Sequence, residues 1–385
     1  MIKLPENFLT RLIFWMNIPS FYQGDLFRAL SGVEGIDLNV YFSGRLPADR
    51  LSLGWQDDLS GFHCEFIDGK LKVTDAIWKA LSQTNSVHVV GGLWAGRMQE
   101  AVLATLAAAG SKYFIYSEAP EPGSVVPGLR SSLLVSLGKP LVRKASGLLA
   151  ISHFARDYFI SLGADRSKVL PFGYFRSFPP GFRKSGRTGE DSGVDAIYVG
   201  QLVHRKGIDV LLEAARPLFA AHGGFRLHLV GSGDKENEYK KWVADNGLSD
   251  RVRFEGAMAS AAVMERISKA DVLILPSRWD GWGLVVNEAL MAGVPVIVSD
   301  MCGAADLVSN GVNGYTFRSG DVADLRAKLQ SVVGRKVSES LSIKAEETGV
   351  NLSAENAAKY LVEILVGNGA PQHERAQFPW VLPDP

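Results

Sequence analysis

Short apolar runs alternate with amphipathic stretches along most of the chain. RLIFW from Arg11, SVHVVG from Ser86, KYFIY from Lys112 and GLLAI from Gly147 are apolar at nearly every position, as strands buried on both faces are. QGDLFRAL, GRMQEAVLATLAAAG and SLLVSLGKPLVRKA lie between them and read as helices. Strand and helix in alternation predict parallel sheets with helices on both faces. After Val169 the pattern breaks: PFGYFRSFPPGFRKSGRTGEDSG is rich in Pro, Gly and charge and reads as a linker. It then restarts with DAIYVG, FRLHLVG, VRFEG, DVLILPS and VPVIVS, each expected to be a strand followed by a helix. The fold class is therefore α/β, with two Rossmann-like, doubly wound parallel-sheet domains facing a cleft. The expected domains are residues 1–175 and 193–366, joined by a linker at 176–192. The last helix, about Ser353 to Val366, closes the second domain. Residues 367–385 form a Pro-rich tail that could pack back on the first domain or be loose. In such sheets the ligand crevice lies at the carboxyl ends of the strands.

Composition narrows this picture. A chain of 385 residues with 46% hydrophobic and 21% charged residues is an ordinary folded protein of two domains. Its formal net charge of zero argues against nucleic acid as a partner. Cys64 and Cys302 are far apart and belong to no CxxC pair or His/Cys cluster, so neither a metal site nor a disulfide is expected, and both read as buried small apolar residues. The first residues lack a signal-peptide pattern, and no apolar run approaches the ~20 residues of a membrane span. The expected location is the cytoplasm. Between Pro122 and Arg187 there are 11 Lys/Arg against 2 Asp/Glu, and SLLVSLGKPLVRKA falls within that segment. It could be a membrane-facing helix at the inner face of the membrane, reaching a lipid-linked acceptor. Alternatively, the charges are scattered over the linker and helix backs.

The chemistry concentrates in SRWDGWGLVVNEALMAGVPVIVSD, from Ser277 to Asp300. The strand DVLILPS leads into the loop RWDGWG, and LVVNEALMAG then forms a helix closed by Gly293. A helix N-terminus offers unpaired N–H groups and partial positive charge to an anion such as a diphosphate. Gly281 and Gly283 let backbone approach a ligand closely. Asp280 sits in the loop, and Glu288 lies about five residues into the helix. Carboxylates at that offset can grip hydroxyls on either side of a diphosphate, one on a transferred sugar and one on a ribose.

An acid, seven residues and a Glu, with Gly-Trp-Gly after the first acid and a PVI strand after the helix, resemble the family-4 type retaining glycosyltransferases of the GT-B fold, the glycosyl transferases group 1. The resemblance is specific from Asp195 to about Leu329. It implies a nucleotide-diphosphate sugar (UDP-, GDP- or similar) as donor substrate, with no cofactor and no metal. Glu288 would then bind the donor ribose, and Asp280 with the backbone of Gly281, Trp282, Gly283 and Leu284 would hold the sugar. The first acid of that family is usually Glu, one methylene longer than Asp280. In YVGQLVHRKG the family carries an Arg directly after the glycine and a Lys five residues later, both on the diphosphate. Lys206 matches, whereas Gln201 stands in the Arg position and Arg205 is the candidate to supply its charge. Gly231 and Gly233 of LVGSGD mark a loop near the nucleotide, with Phe254 to Met258 beside the base. MCGAADLVSNGVNGYTF matches at Gly303, Asp306 and Gly314, glycines that read mainly as turns.

The first domain would bind the acceptor. PSFYQGDLF stands where the family has a glycine-rich loop, with Tyr22, Gln23 and Gly24 able to approach the donor. Glu118 follows a buried strand where many relatives carry a His near the reaction centre; it could bind an acceptor hydroxyl, support charge on the sugar, or merely cap the next segment. Trp94 could stack on a sugar or belong to the core. The expected activity is hexosyl transfer to a saccharide or lipid-linked acceptor in polysaccharide or lipopolysaccharide assembly, with Lys206, Arg205, Asp280 and Glu118 as the catalytic set. The alternative is a non-catalytic sugar-nucleotide-binding subunit, for which Gln201 and Asp280 speak. A nicotinamide-type dinucleotide enzyme would need GxGxxG after the first strand, and NIPSFYQGD has none.

Overall fold

The computed structural model describes residues 9–48, 58–67, 70–82, 85–93, 95–123, 129–177, 193–333 and 338–366. The chain divides after Ser177 and again before Ala354: one unit holds the residues up to Ser177 together with the last helix, the other runs from Phe178 to Ser353.

The first unit is built on seven parallel strands: β1 (Thr10–Met16), β2 (Ile36–Phe42), β3 (His63–Phe66), β4 (Ser86–Gly91), β5 (Tyr113–Ser117), β6 (Gly147–Ile151) and β7 (Val169–Phe172), in the order β3-β2-β1-β4-β5-β6-β7. Its helices are α1 (Phe21–Ser31), α2 (Lys70–Leu81), α3 (Arg97–Ala109), α4 (Leu129–Lys144) and α5 (Ser152–Ser161). Strand order reverses between β1 and β4, which pair from Arg11↔Ser86 to Trp15↔Val90. The central strands are apolar on both faces, as a doubly covered parallel sheet requires.

The second unit repeats the plan with six parallel strands: β8 (Asp195–Val199), β9 (Arg226–Val230), β10 (Val252–Gly256), β11 (Val272–Leu275), β12 (Val296–Ser299) and β13 (Gly314–Phe317), in the order β10-β9-β8-β11-β12-β13. Helices α6 (Ile208–Ala221), α7 (Glu236–Asp245), α8 (Ser260–Ser268), α9 (Val285–Met291), α10 (Val322–Val333) and α11 (Glu339–Asn351) surround it. The reversal falls between β8 and β11, paired at Val272↔Ala196 and Leu273↔Ile197.

The structure departs from the sequence reading in four places. The break placed after Val169 is strand β7, and the linker begins only beyond it. β2, β3 and β13 were not anticipated. β2 carries Asp37, paired with Arg11 at 2.5 Å, and Asn39, so it lacks a continuous apolar run. β12 is followed by a 3₁₀ turn, Gly303–Leu307, not a helix. The last helix, α12 (Ala354–Val366), belongs to the first unit. It packs on α1; Lys112 Nζ donates to Leu365 O at 2.8 Å, and Tyr360 stacks on Phe172 with ring centroids 6.3 Å apart. One broad face, Ala357, Ala358, Tyr360, Leu361, Val362, Ile364 and Leu365, is apolar and buried, while Glu355, Lys359 and Glu363 form an exposed stripe opposite, so the helix needs a partner for its apolar face. The tail at 367–385 and linker residues 178–192 lie outside the described residues.

Within the first unit, the segment ending at Ser177 and the start of α12 lie side by side. Ala354 N donates to Arg176 O at 3.1 Å, and Ser177 Oγ to Glu355 Oε1 at 2.9 Å. Asp25 of α1 ties the exit strand down, accepting from Arg176 Nε at 3.0 Å, Ser177 N at 3.1 Å and Arg28 at 2.6 Å.

Candidate active site

In the second unit the loops that leave β8 and β11, the two strands flanking the reversal, meet at the carboxyl end of the sheet. That is the position where open α/β sheets bind ligands. Lys206 is on the first loop and Asp280 on the second, and Lys206 Nζ lies 2.5 Å from Asp280 Oδ2. Both side chains are largely buried, at 12% and 15% exposure, so water screens this pair little.

The loops are stitched together by backbone as well. Arg205 Nη1 donates to Trp279 O at 2.6 Å, Arg278 N to Arg205 O at 2.8 Å and Arg278 Nη1 to His204 O at 2.9 Å. Arg278 also grips Asp209, in the first turn of α6, through two bonds of 2.7 Å. Burial works to raise the Asp209 carboxyl, but its bonds to Arg278 and the guanidinium charge outweigh this and hold it below its ordinary value. Gly207 makes the close approach possible. Its φ is +68°, and a Cβ there would stand 2.1 Å from Pro276 O.

The DGWG loop is braced from below. Trp282 is buried, and its Nε1 donates to Asn287 Oδ1 at 2.9 Å. Trp282 O accepts from Cys302 Sγ at 2.8 Å and Ala304 N at 2.7 Å. Asp280 N donates to Met301 O and Gly303 N to Asp280 O, both at 3.0 Å. Gly283, at φ +95°, leaves no room for a Cβ, which would lie 2.6 Å from Cys302 Sγ. Cys302 is thus a packing piece under the loop, its thiol pushed up by burial, while Cys64, read as buried, is only half-buried on edge strand β3.

The other residues named from sequence fall as follows. Glu288 is buried in the first turn of α9, nearer the loop than an offset of five residues implied. Gly281 and Leu284 flank the braced Trp282, with Leu284 the N-cap residue of α9. Gln201 accepts the Tyr198 hydroxyl on its backbone carbonyl at 2.8 Å. Gly231 and Gly233 press against the β8 loop, where a Cβ would come within 1.9 Å of Gly200 O and 2.4 Å of Leu202 O. Gly256, in the stretch assigned to the base, accepts from Gly231 N at 2.7 Å. Gly314 is no turn: it opens β13, where a Cβ would meet Val296 O at 2.3 Å.

The first unit carries a separate pocket, a cavity of about 400 Å³ at the carboxyl ends of β1, β4 and β5. Glu118 lines it and accepts the Tyr174 hydroxyl. Tyr22 lies against Tyr174, ring centroids 4.4 Å apart. Burial, with the nearby Glu118 charge, raises the Tyr174 hydroxyl well above its ordinary value, so it stays a donor. Gly24 is not in a loop. It is inside α1, whose first turn is capped by Ser20 Oγ accepting from Gln23 N at 3.4 Å. Trp94 lies outside the described residues. Of the basic segment's described residues, Arg176 is buried on Asp25, Lys168 Nζ donates to Ala145 O and Arg156 pairs with Asp157. No helix among the described residues is long and apolar enough to cross a membrane.

Sequence reasoning missed Asp209, Arg278 and Tyr174. Only Asp209, three residues after Lys206 in a helix's first turn, carried a local signal.

Two doubly wound units with loops gathered at their reversal points define the GT-B class of fold. Structural similarity agrees: HepE (Alr3699) of Anabaena, crystallised with UDP, superposes with a TM-score of 0.74 at 16% identity, over 93% of this chain and 100% of that one. The apo lipopolysaccharide outer core galactosyltransferase WaaB gives 0.72 at 16%, over 94% and 100%. Residues 184–347 match the family Glycosyl transferases group 1. Among curated relatives, glycogen synthase of Mycobacterium tuberculosis is 29% identical over 224 residues, 56% of this chain and 52% of that protein. The chain spans about half the length of the curated relatives it matches.

Proposed function

We propose that the chain is a retaining, metal-independent hexosyltransferase. It moves a sugar from a nucleotide-diphosphate donor to a hydroxyl of a glycan or lipid-linked acceptor, in polysaccharide or lipopolysaccharide assembly. The observation that carries this reading is the Lys206–Asp280 pair at the reversal point of the second sheet, on loops held together by Gly207 and Gly283. An ammonium has three donors, so Lys206 can keep Asp280 and still donate to a phosphate. Negative charge grows on the departing diphosphate, and preorganised donors aimed at it are the main source of rate. Lys206, Arg205 and the N–H groups of Gly281–Leu284 are those donors; Asp280 holds the transferred sugar, Glu288 the ribose, and Glu118 the acceptor. Attack from the same face, with the donor phosphate taking the acceptor's proton, accounts for retention. HepE was crystallised with UDP and with UDP-glucose, which makes UDP-sugars the first donors to test, at the cytoplasmic face of a membrane or free of it.

A thermal-shift screen with UDP, GDP, ADP and dTDP, with and without magnesium, tests donor binding, because a ligand of the native state raises its melting point. One nucleotide is expected to stabilise the protein equally in both conditions. Lys206→Ala and Glu288→Ala are each expected to lower transfer by about 10²–10³-fold with the fold intact. Wild-type rates in either variant reject the assignment. Gln201, in place of a phosphate-binding Arg, favours a second reading, a non-catalytic sugar-nucleotide-binding subunit. Nucleotide binding without transfer or donor hydrolysis would select it.

A further inference from the structure

We infer that the pocket of the first unit takes a saccharide ring that is neutral or bears an amine, and excludes one carrying phosphate or carboxylate. This names the acceptor class and rests on the transferase reading. Among the described residues, those lining the cavity all belong to the first unit, and of them Glu118 alone carries a charge. Among the described residues, no Lys, Arg or His is on that lining. Burial keeps the Tyr116 and Tyr174 hydroxyls protonated, and they donate to Gly173 O and Glu118, so these two groups are neutral and supply no cation.

The wall also holds a buried acceptor. Gln23 lines the pocket at 7% exposure, and its Oε1 is buried without a hydrogen-bond partner. A buried acceptor left unmade is costly, and a ligand O–H or N–H removes that cost. The Glu118 carboxylate, which accepts from Tyr174, is a charged acceptor on the same lining. Tyr22, Tyr158 and Tyr174 supply aromatic surface for the C–H face of a pyranose. A hydroxyl-rich ring satisfies this set, and an ammonium satisfies Glu118 better still. An anionic group would be desolvated next to a like charge, with no cation among the described lining residues to neutralise it.

The test uses the full chain and four forms of one ring: glucose, glucosamine, glucuronate and glucose 6-phosphate, with binding read by saturation-transfer NMR in the presence of UDP. Glucose and glucosamine are expected to bind at least 10-fold more tightly than the two anions. Gln23→Leu should weaken glucose, and Glu118→Gln should narrow the gap by improving the anions. Anions binding as well as glucose, or neither neutral probe binding, overturns the inference. The nucleotide melting shift, measured on the same samples, keeps the two readings apart. A shift together with anion binding rejects only the acceptor class. Glucose binding with no shift from any nucleotide rejects the transferase reading and leaves the charge preference standing.

Discussion

His88 is a titratable ring buried where a charge has no partner. It is 1% exposed on β4, its Nδ1 accepts from Trp15 Nε1 at 3.2 Å, and its Nε2 lies 3.2 Å from Ser86 Oγ. Desolvation pushes it down to about 4. The neutral ring is therefore the folded form, while the unfolded chain protonates near 6.5. Stability is fully present above pH 6.5 and is lost as pH falls toward 4, by roughly 3 kcal/mol from this residue. Urea unfolding of wild type and His88→Gln should diverge across that window; parallel profiles would show that the ring plays no part. The site residues differ in how far sequence exposes them. Asp280, Glu288 and Lys206 were legible because a strand, a glycine loop and a helix start follow one another in a few residues. That Lys206 and Asp280 meet was not, since 74 positions separate them. Tyr174 was hidden for another reason: it stands in a Pro- and Gly-rich stretch that reads as linker.

Among the elements, the loops after β8 and β11 depend on glycines more than on any side chain. Gly207→Ala should cost about 1–3 kcal/mol from its positive φ alone, and more from overlap with Pro276 O, and should lower donor affinity by separating the loops. Gly223 is the control: nothing lies within 4 Å of a Cβ there, so Gly223→Ala should be neutral or stabilising by about 0.4–1 kcal/mol. Equal effects in denaturant melts would contradict the packing role. The central strands β1, β4, β5, β8, β11 and β12 were legible because burial on both faces leaves an unbroken apolar run. β2 and β3, toward one edge, mix polar with apolar positions. β13 is four residues long and opens on a glycine that only its close approach to β12 explains.

For the molecule as a whole, chain order and structural membership differ. Reading along the sequence assigned α12 to its neighbours, but a helix with a broad apolar face goes where a matching apolar face is open, and α1 provides it. The crossing is secured by Asp25, which with Arg176 forms a pair 11% exposed on each side. Asp25→Asn leaves Arg176 without its counter-ion and should cost about 3 kcal/mol; an unchanged urea midpoint would show the clamp to be dispensable. This arrangement bears on how the protein is made. When Ser177 leaves the ribosome the first sheet is complete, yet the helix that covers α1 is still unmade. At about 5–20 residues per second, the rest of the insertion takes on the order of 10–35 s to synthesise. During that time the nascent chain carries one finished face of α1 open to other hydrophobic surfaces. A chaperone's period of greatest demand should therefore fall on the first unit, while the second, translated in one piece, folds unattended.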